Sequence, residues 1–303
     1  MLYRAYGKVI QSDITFSQLV TEETSAKAEL EIKICEIPSE LKEYIAQHKG
    51  SGGKGDGFCW INTPGGYFVV LDKTIMTEAK EEEQLAKMRS YILGYGLSLL
   101  FYNQNMAAVH CSAIEMDGNA LLISGFSGAG KSTLAGAFLN QGWKLLSDDV
   151  AMVARKDGKV FTSPAFPVRK LCRDAALRGG YELDELTYID EDKDKFAVDC
   201  TDQFATNDAE VKAMVVVTPY DGDSVKVEEA KGQDKINLFM QNMFLRVLMN
   251  EMGMEPQRFF ECMQILSLLP IYRVFRPVSD SDSSGKMTEK IKDYVNLSTN
   301  ADK

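Results

Sequence analysis

Apolar and polar positions along this 303-residue chain follow two periods, and the switches between them mark its elements. From Ala26 to Ile37 the period is two: Leu30, Ile32 and Ile34 interleave with Glu29, Glu31 and Lys33, as in a half-buried antiparallel strand. The rest of 1–76 reads as further short strands and turns, with a short helix from Leu41 to Gln47 and a strand from Tyr67 to Leu71. HKGSGGKGDG, from His48 to Gly57, reads as a flexible hairpin tip, because no strand precedes it and no G-K-[ST] closes it. From Glu78 to Asn103 the period changes to that of a helix: Leu85, Met88, Ile92, Tyr95 and Leu99 recur at spacings of three and four and form one apolar stripe. The opening acids, EAKEEEQ, suit the positive end of that helix and read as a solvated face.

Further on, Asp117-Gly118 and Asp157-Gly158 each divide two apolar segments, the signal for a tight hairpin. Ser163 to Gly180 starts as a proline-marked loop and becomes a short helix after Arg169, and Tyr181 to Glu210 reads as an exposed, acid-rich loop. Strands are expected at Ala213–Thr218, Ser224–Glu229 and Ile271–Phe275. Helices are expected at Asp234–Asn250 and Pro256–Leu269, with a weaker one at Lys286–Tyr294. These elements describe an α/β fold with a mixed sheet. A β-rich portion, 1–76, precedes a domain over 77–303 made of the helix 78–103, a core over 106–230 and a helical part over 231–303.

The chemistry is concentrated between Leu121 and Val150. An apolar run ends at Ser124, passes through Gly125, Ser127, Gly128, Ala129 and Gly130 to Lys131, Ser132 and Thr133, and continues into helix-compatible sequence. The pattern G-x-x-x-x-G-K-[ST] between a strand and a helix lets successive backbone N–H groups turn inward around phosphate oxygens. Lys131 would reach the outer phosphates and the Ser132 hydroxyl would ligate Mg²⁺. The stripe of 78–103 is expected to pack against this nucleotide-binding sheet.

A second apolar run closes seventeen residues after Lys131 on two carboxylates, Asp148 and Asp149. Acids at a strand end beside a phosphate loop suit one group turned to the metal and another to an acceptor hydroxyl, which must lose its proton as the new P–O bond forms. Successive residues of a strand point to opposite faces, so only one of the pair is expected to face the site directly. His110, on the strand before the loop strand, is a core histidine or a donor to phosphate and carboxylate oxygens; its residue type leaves both open. Arg169 with Lys170, Lys193 with Lys195, and Arg273 with Arg276 are candidate cations for the transferring phosphate, Arg273 foremost because it sits at the end of the last expected strand.

Composition narrows the class. Lys and Arg number 34 against 44 Asp and Glu, a net charge of −10 that argues against a nucleic-acid partner or an anionic membrane surface. Six scattered cysteines without a C-x-x-C pair, and two histidines, leave no zinc pattern and point to reduced thiols in the cytoplasm. The start lacks an apolar signal core, and the greasiest stretch, Tyr91 to Tyr102, is too short to span a bilayer.

The run from His110 to Val150, HCSAI, a short hairpin, GFSGAGKST and LLSDDV, resembles the catalytic core of the HPr kinase/phosphorylase family and its HPr-kinase-like relatives. YRAYG near the start, SPAFPVRKL, the lysines of DEDKDKF and the closing YRVFRP resemble the relatives more than the HPr-phosphorylating enzymes. The resemblance implies a P-loop architecture similar to phosphoenolpyruvate carboxykinase, in which the loop follows an antiparallel hairpin. It also implies an ATP/Mg²⁺-dependent kinase in which His110, Lys131 and Asp148 are catalytic, Asp148 as the base, with Ser132 on the metal and Asp149 near it. The acceptor it implies is a hydroxyl, that of serine in a small molecule, a peptide or a small protein; a homo-oligomer is left open. The downstream signature with its glutamate ligand and the basic terminal helix are missing, and Pro164 to Leu171 stands in the place of that signature, which points away from HPr itself and from the phosphorylase reaction. Two other functions fit the same loop: an ATP-binding regulatory or assembly module without efficient transfer, and a small-metabolite kinase of the shikimate-kinase type. The last normally begins near its loop strand, whereas 124 residues precede Gly125 here.

Overall fold

The computed structural model describes residues 1–48, 50–190, 194–246, 248–249, 253–279 and 283–295. The fold is mixed α/β with several sheets, and the chain divides into two compact units, one formed by Met1–Ala108 with Phe244–Cys262 and the other by Val109–Met243 with Met263–Lys303.

The first unit is built on an eight-stranded sheet in the order Val20–Thr21, Leu2–Ala5, Lys8–Ser12, Leu30–Ile34, Thr74–Thr77, Gly66–Leu71, Phe58–Thr63, Gly52–Lys54. The alternating strand is there, half-buried as its period requires, but it lies parallel to both neighbours rather than antiparallel. A period of two reports which face is buried and carries no information about the partner's direction. The glycine-rich stretch is partly strand, Gly52–Lys54 pairing with Phe58–Thr63 across a turn. Helix Ser39–Gln47 covers this end of the sheet, where Ile37, Ile45, Phe58, Trp60 and Val69 form a core cluster.

The expected long helix is interrupted. It runs as α-helix over Glu82–Tyr91, as a π-helical turn over Ile92–Gly96 and again as α-helix over Leu97–Tyr102. Leu85, Met88, Ile92 and Leu99 are buried as the stripe requires, and the segment after Ile92 is buried on nearly every side. It packs on the first unit's own sheet: a Cβ on Gly96 would stand 2.9 Å from Ile75 Cδ1 and 3.3 Å from Phe68 Cε2.

In the second unit the strand Asn119–Gly125 lies antiparallel to Ser112–Met116 and parallel to Ala209–Tyr220, which is parallel in turn to Ile271–Pro277. Asp117 and Gly118 adopt φ of 52° and 75°, and Asp157 and Gly158 φ of 50° and 74°, the left-handed pairs that close two-residue hairpins with the sheet's twist. Helices Lys131–Leu139 and Ser284–Val295 pack against one another, and Phe138, Trp143, Leu145, Val215, Val274 and Ile291 belong to the buried cluster that they share with the sheet. Helix Gly232–Gln241 stops short of the expected Asn250, because Met243 forms a bridge with Val109. The region expected to be loop, 181–210, instead carries the strands Thr187–Asp190 and Lys195–Asp199. They form a three-stranded antiparallel sheet with Val168–Cys172, and the expected short helix follows at Arg173–Arg178.

Candidate active site

The site assembles where three consecutive pieces of the second unit end. The first is the glycine loop. Gly125, Gly128 and Gly130 take φ of 140°, 79° and 109°, values L side chains rarely adopt. Gly125 also lies against the neighbouring strand, where a Cβ would stand 2.6 Å from the Val217 carbonyl oxygen. Gly130 caps helix Lys131–Leu139 without a side-chain hydrogen bond, and the N–H groups of a helix's first turn have no intrahelical acceptor. Phe126, Ser127 and Gly128 are exposed at the loop's crest, Ala129 is buried, and Thr133 is exposed beyond it.

Lys131 folds back on this loop, its Nζ donating to the carbonyls of Gly125 at 2.7 Å and Phe126 at 3.3 Å. Burial lowers its pKa from the ordinary lysine value, against the opposing pull of Asp148 and Asp149. Arg276 braces the loop from the last strand, Nε donating to the Ala129 carbonyl at 2.9 Å. Arg273, the foremost candidate among the paired cations, instead meets Asp234 at 2.7 Å on the surface. Lys193 lies outside the described residues.

The second piece is the end of strand Lys144–Ser147. This strand pairs antiparallel with Ser112–Met116 through a register shift at Ala113/Ile114, and Asp148 follows it into the interior, only 7% exposed. Its Oδ1 accepts a hydrogen bond from Ser112 Oγ at 2.6 Å and its Oδ2 one from the Lys170 backbone N–H at 2.7 Å. Asp149 adopts φ of 74°, a conformation that aspartate tolerates better than most residues. That turn brings both carboxylates to one residue, for Asp149 Oδ2 accepts from Lys170 Nζ at 2.9 Å. The strand rule that separates neighbours onto opposite faces stops applying where the strand does. Burial works to raise the Asp149 pKa, but the charges of Lys170, His110 and Lys195, with the Lys170 hydrogen bond, prevail and hold it well below the usual carboxylate range.

The third piece is the short link between strands Ala107–Val109 and Ser112–Met116, which carries His110. Its Nδ1 lies 2.9 Å from the Asp149 carbonyl oxygen and 3.5 Å from Asp149 Oδ1. Burial lowers its pKa below the ordinary value, with Asp149 pulling upward and Lys131 downward. The backbone beneath is fixed by Ser124, whose Oγ lies 2.6 Å from both the His110 carbonyl oxygen and Asn242 Oδ1.

The three-stranded sheet closes the group. Along Val168–Cys172 and Lys195–Asp199, Arg169, Leu171, Phe196 and Val198 are buried on one face, while Lys170, Lys195 and Ala197 occupy the other. Arg169 donates from Nη2 to the Ser132 carbonyl at 2.7 Å, tying this sheet to the helix after the glycine loop. Of the expected residues, His110, Lys131, Asp148 and Asp149 are therefore brought within one another's electrostatic reach beside the loop, and Arg273 is not. Ser112, Ser124 and Asn242 escape a reading by motif. The available signal was a small polar residue inside an apolar strand, as at Ser112 and Ser124, since a buried hydroxyl requires a partner.

Among the described residues no three His, Cys, Asp or Glu side chains form a metal-holding group, and no helix is long and apolar enough to cross a membrane. No family model matches the sequence, and no curated protein matches it. A solved structure similar to this chain is that of the Hpr(Ser) kinase/phosphatase from Coxiella burnetii, with 14% sequence identity over 63% of this chain and 96% of that one, at a TM-score of 0.32.

Proposed function

We propose that this chain is an ATP/Mg²⁺-dependent phosphotransferase of the HPr-kinase-like type, with a P-loop core, that moves a γ-phosphoryl group to a hydroxyl, that of serine in a small molecule, peptide or small protein. The observation that supports the reading is Asp148, a buried carboxylate held by one hydrogen bond on each oxygen. A carboxylate has about four lone-pair sites, so two remain for an incoming hydroxyl.

In this mechanism the loop N–H groups receive the phosphates and Lys131 exchanges its carbonyl partners for phosphate oxygens. Asp148 takes the proton from the acceptor as the new P–O bond forms. His110, neutral at ordinary pH, donates or accepts without adding charge. A Mg²⁺ ion would be held by the Ser132 hydroxyl and the Asp149 carboxylate, hard oxygen donors of the kind it prefers, and would supply charge neutralisation to the phosphates. The small number of protein donors fits an ion that keeps several waters and phosphate oxygens as ligands.

The test is incubation with ATP labelled at the γ-phosphate, together with serine, serine-bearing peptides and small hydroxy compounds. The wild-type chain should yield a labelled product and Asp148→Asn should bind nucleotide but yield none; turnover unchanged in that variant would remove the base assignment. The second reading, a nucleotide-binding regulatory module, is favoured by one observation, the Lys131 amine bonded to its own loop. Binding without any labelled product across all acceptors would select it.

A further inference from the structure

The three-stranded sheet presents two cations toward the site, and they differ in how they are used. Lys170 faces Ala197 across the antiparallel pair, and Lys195, two residues earlier on that strand, stands on the same face. Lys170 is committed, with its amine on Asp149 and its backbone N–H on Asp148. The Lys195 amine makes no hydrogen bond or ion pair with the described residues, yet its charge is felt at His110, Lys131 and Asp149 together. Its side chain shares the sheet face from which Lys170 reaches Asp149. Lys131 and Lys170 each hold partners within the site, and the Lys195 amine holds none among the described residues.

Geometry also indicates which anion this charge serves. The glycine loop and Lys131 serve the phosphates next to the helix start. A phosphoryl group in transit must lie between that loop and Asp148, and the wall on the Asp148 side is the sheet that bears Lys195. We propose that Lys195 is a second phosphate-binding cation, one that contacts the outermost phosphate of a nucleoside triphosphate and not the inner two. This rests on the nucleotide-binding reading above.

Affinity for ADP·Mg²⁺ and for the non-hydrolysable triphosphate AMP-PNP·Mg²⁺, measured by titration calorimetry on the full chain, separates the possibilities without an acceptor. Lys195→Gln should weaken AMP-PNP by about tenfold, the size expected for losing one charge-assisted contact, and leave ADP within about twofold. Lys195→Arg should restore most of the difference. Equal weakening of both nucleotides, or no weakening of either, overturns the assignment. Where Lys195→Gln binds neither nucleotide measurably, Lys195→Arg decides: a ratio of AMP-PNP to ADP affinity like that of the wild type supports the contact, and a lowered ratio refutes it. A wild-type chain that binds neither nucleotide removes the nucleotide reading and this inference with it, whereas binding of both with an indifferent Lys195 removes only the inference.

Discussion

Ser112 donates its hydroxyl hydrogen to Asp148 Oδ1 over 2.6 Å, joining the strand that precedes the glycine loop to the residue that follows the next one. Both residues are buried, so the bond is sheltered from competing water. A hydrogen bond to a charged group contributes about 1.5–3 kcal/mol. Ser112→Ala should lower unfolding free energy by roughly that amount in urea titration. It should also slow phosphoryl transfer while leaving nucleotide affinity near wild type, because the alanine frees a carboxyl oxygen to turn away from the acceptor.

Arg276, rather than Arg273, should matter for nucleotide binding. Arg276→Ala removes the donor to the Ala129 carbonyl and lets the loop relax, so nucleotide affinity should drop by about tenfold if the bond contributes about 1.4 kcal/mol. Arg273→Ala breaks a surface pair with Asp234 and a contact with the Phe275 ring and should change affinity little, since such exposed pairs contribute about 0–1 kcal/mol. Calorimetry on both variants compares them directly.

Gly125→Ala should damage the protein more than Gly128→Ala. Both positions have positive φ, but only at Gly125 does the added carbon meet a main-chain oxygen, that of Val217; Gly128 opens on free space. Backbone strain alone costs about 1–3 kcal/mol, and the Gly125 variant adds a clash between strands. Thermal unfolding should show the larger fall in Tm for Gly125→Ala, and equal falls would contradict the close approach.

His110 should titrate below 6.5, and its neighbours should move it in opposite directions. Lys131→Met removes a charge that lowers the pKa and should raise it, whereas Asp149→Asn removes one that raises it and should lower it further. With only His48 and His110 in the chain, imidazole resonances in NMR can be followed singly. The same depression has a stability consequence. As pH falls through 6.5 the unfolded chain takes up this proton before the folded one, so stability declines across that window and levels off below the folded-state value. His110→Gln should remove that portion of the decline.

What could be read from the chain depended on how local the cause was. The two Asp-Gly hairpins and the glycine loop follow from conformational demands inside a few residues, and they stand where the residues put them. Leu30–Ile34 revealed its buried face but not its parallel neighbours, because direction is decided by chain segments twenty and more than forty residues away. The sheet of Val168–Cys172, Thr187–Asp190 and Lys195–Asp199 was hidden for another reason. Its strands are short and acid-rich, and its buried face consists of alternate residues such as Leu171, Phe196 and Val198 that reveal themselves only when paired. At the site, Asp148 and Lys131 stood out by motif. The roles of Ser112, Lys170 and Arg276 depend on which strand ends meet, and no spacing within the sequence records that.

One of the two bonds that aim Asp148 comes from the main chain of residue 170, not from a side chain. Every amino acid but proline brings that N–H with it. Position 170 can therefore vary without disturbing the alignment of the carboxylate, so that the charge of the wall beside Asp148 can change while the carboxylate stays where it is.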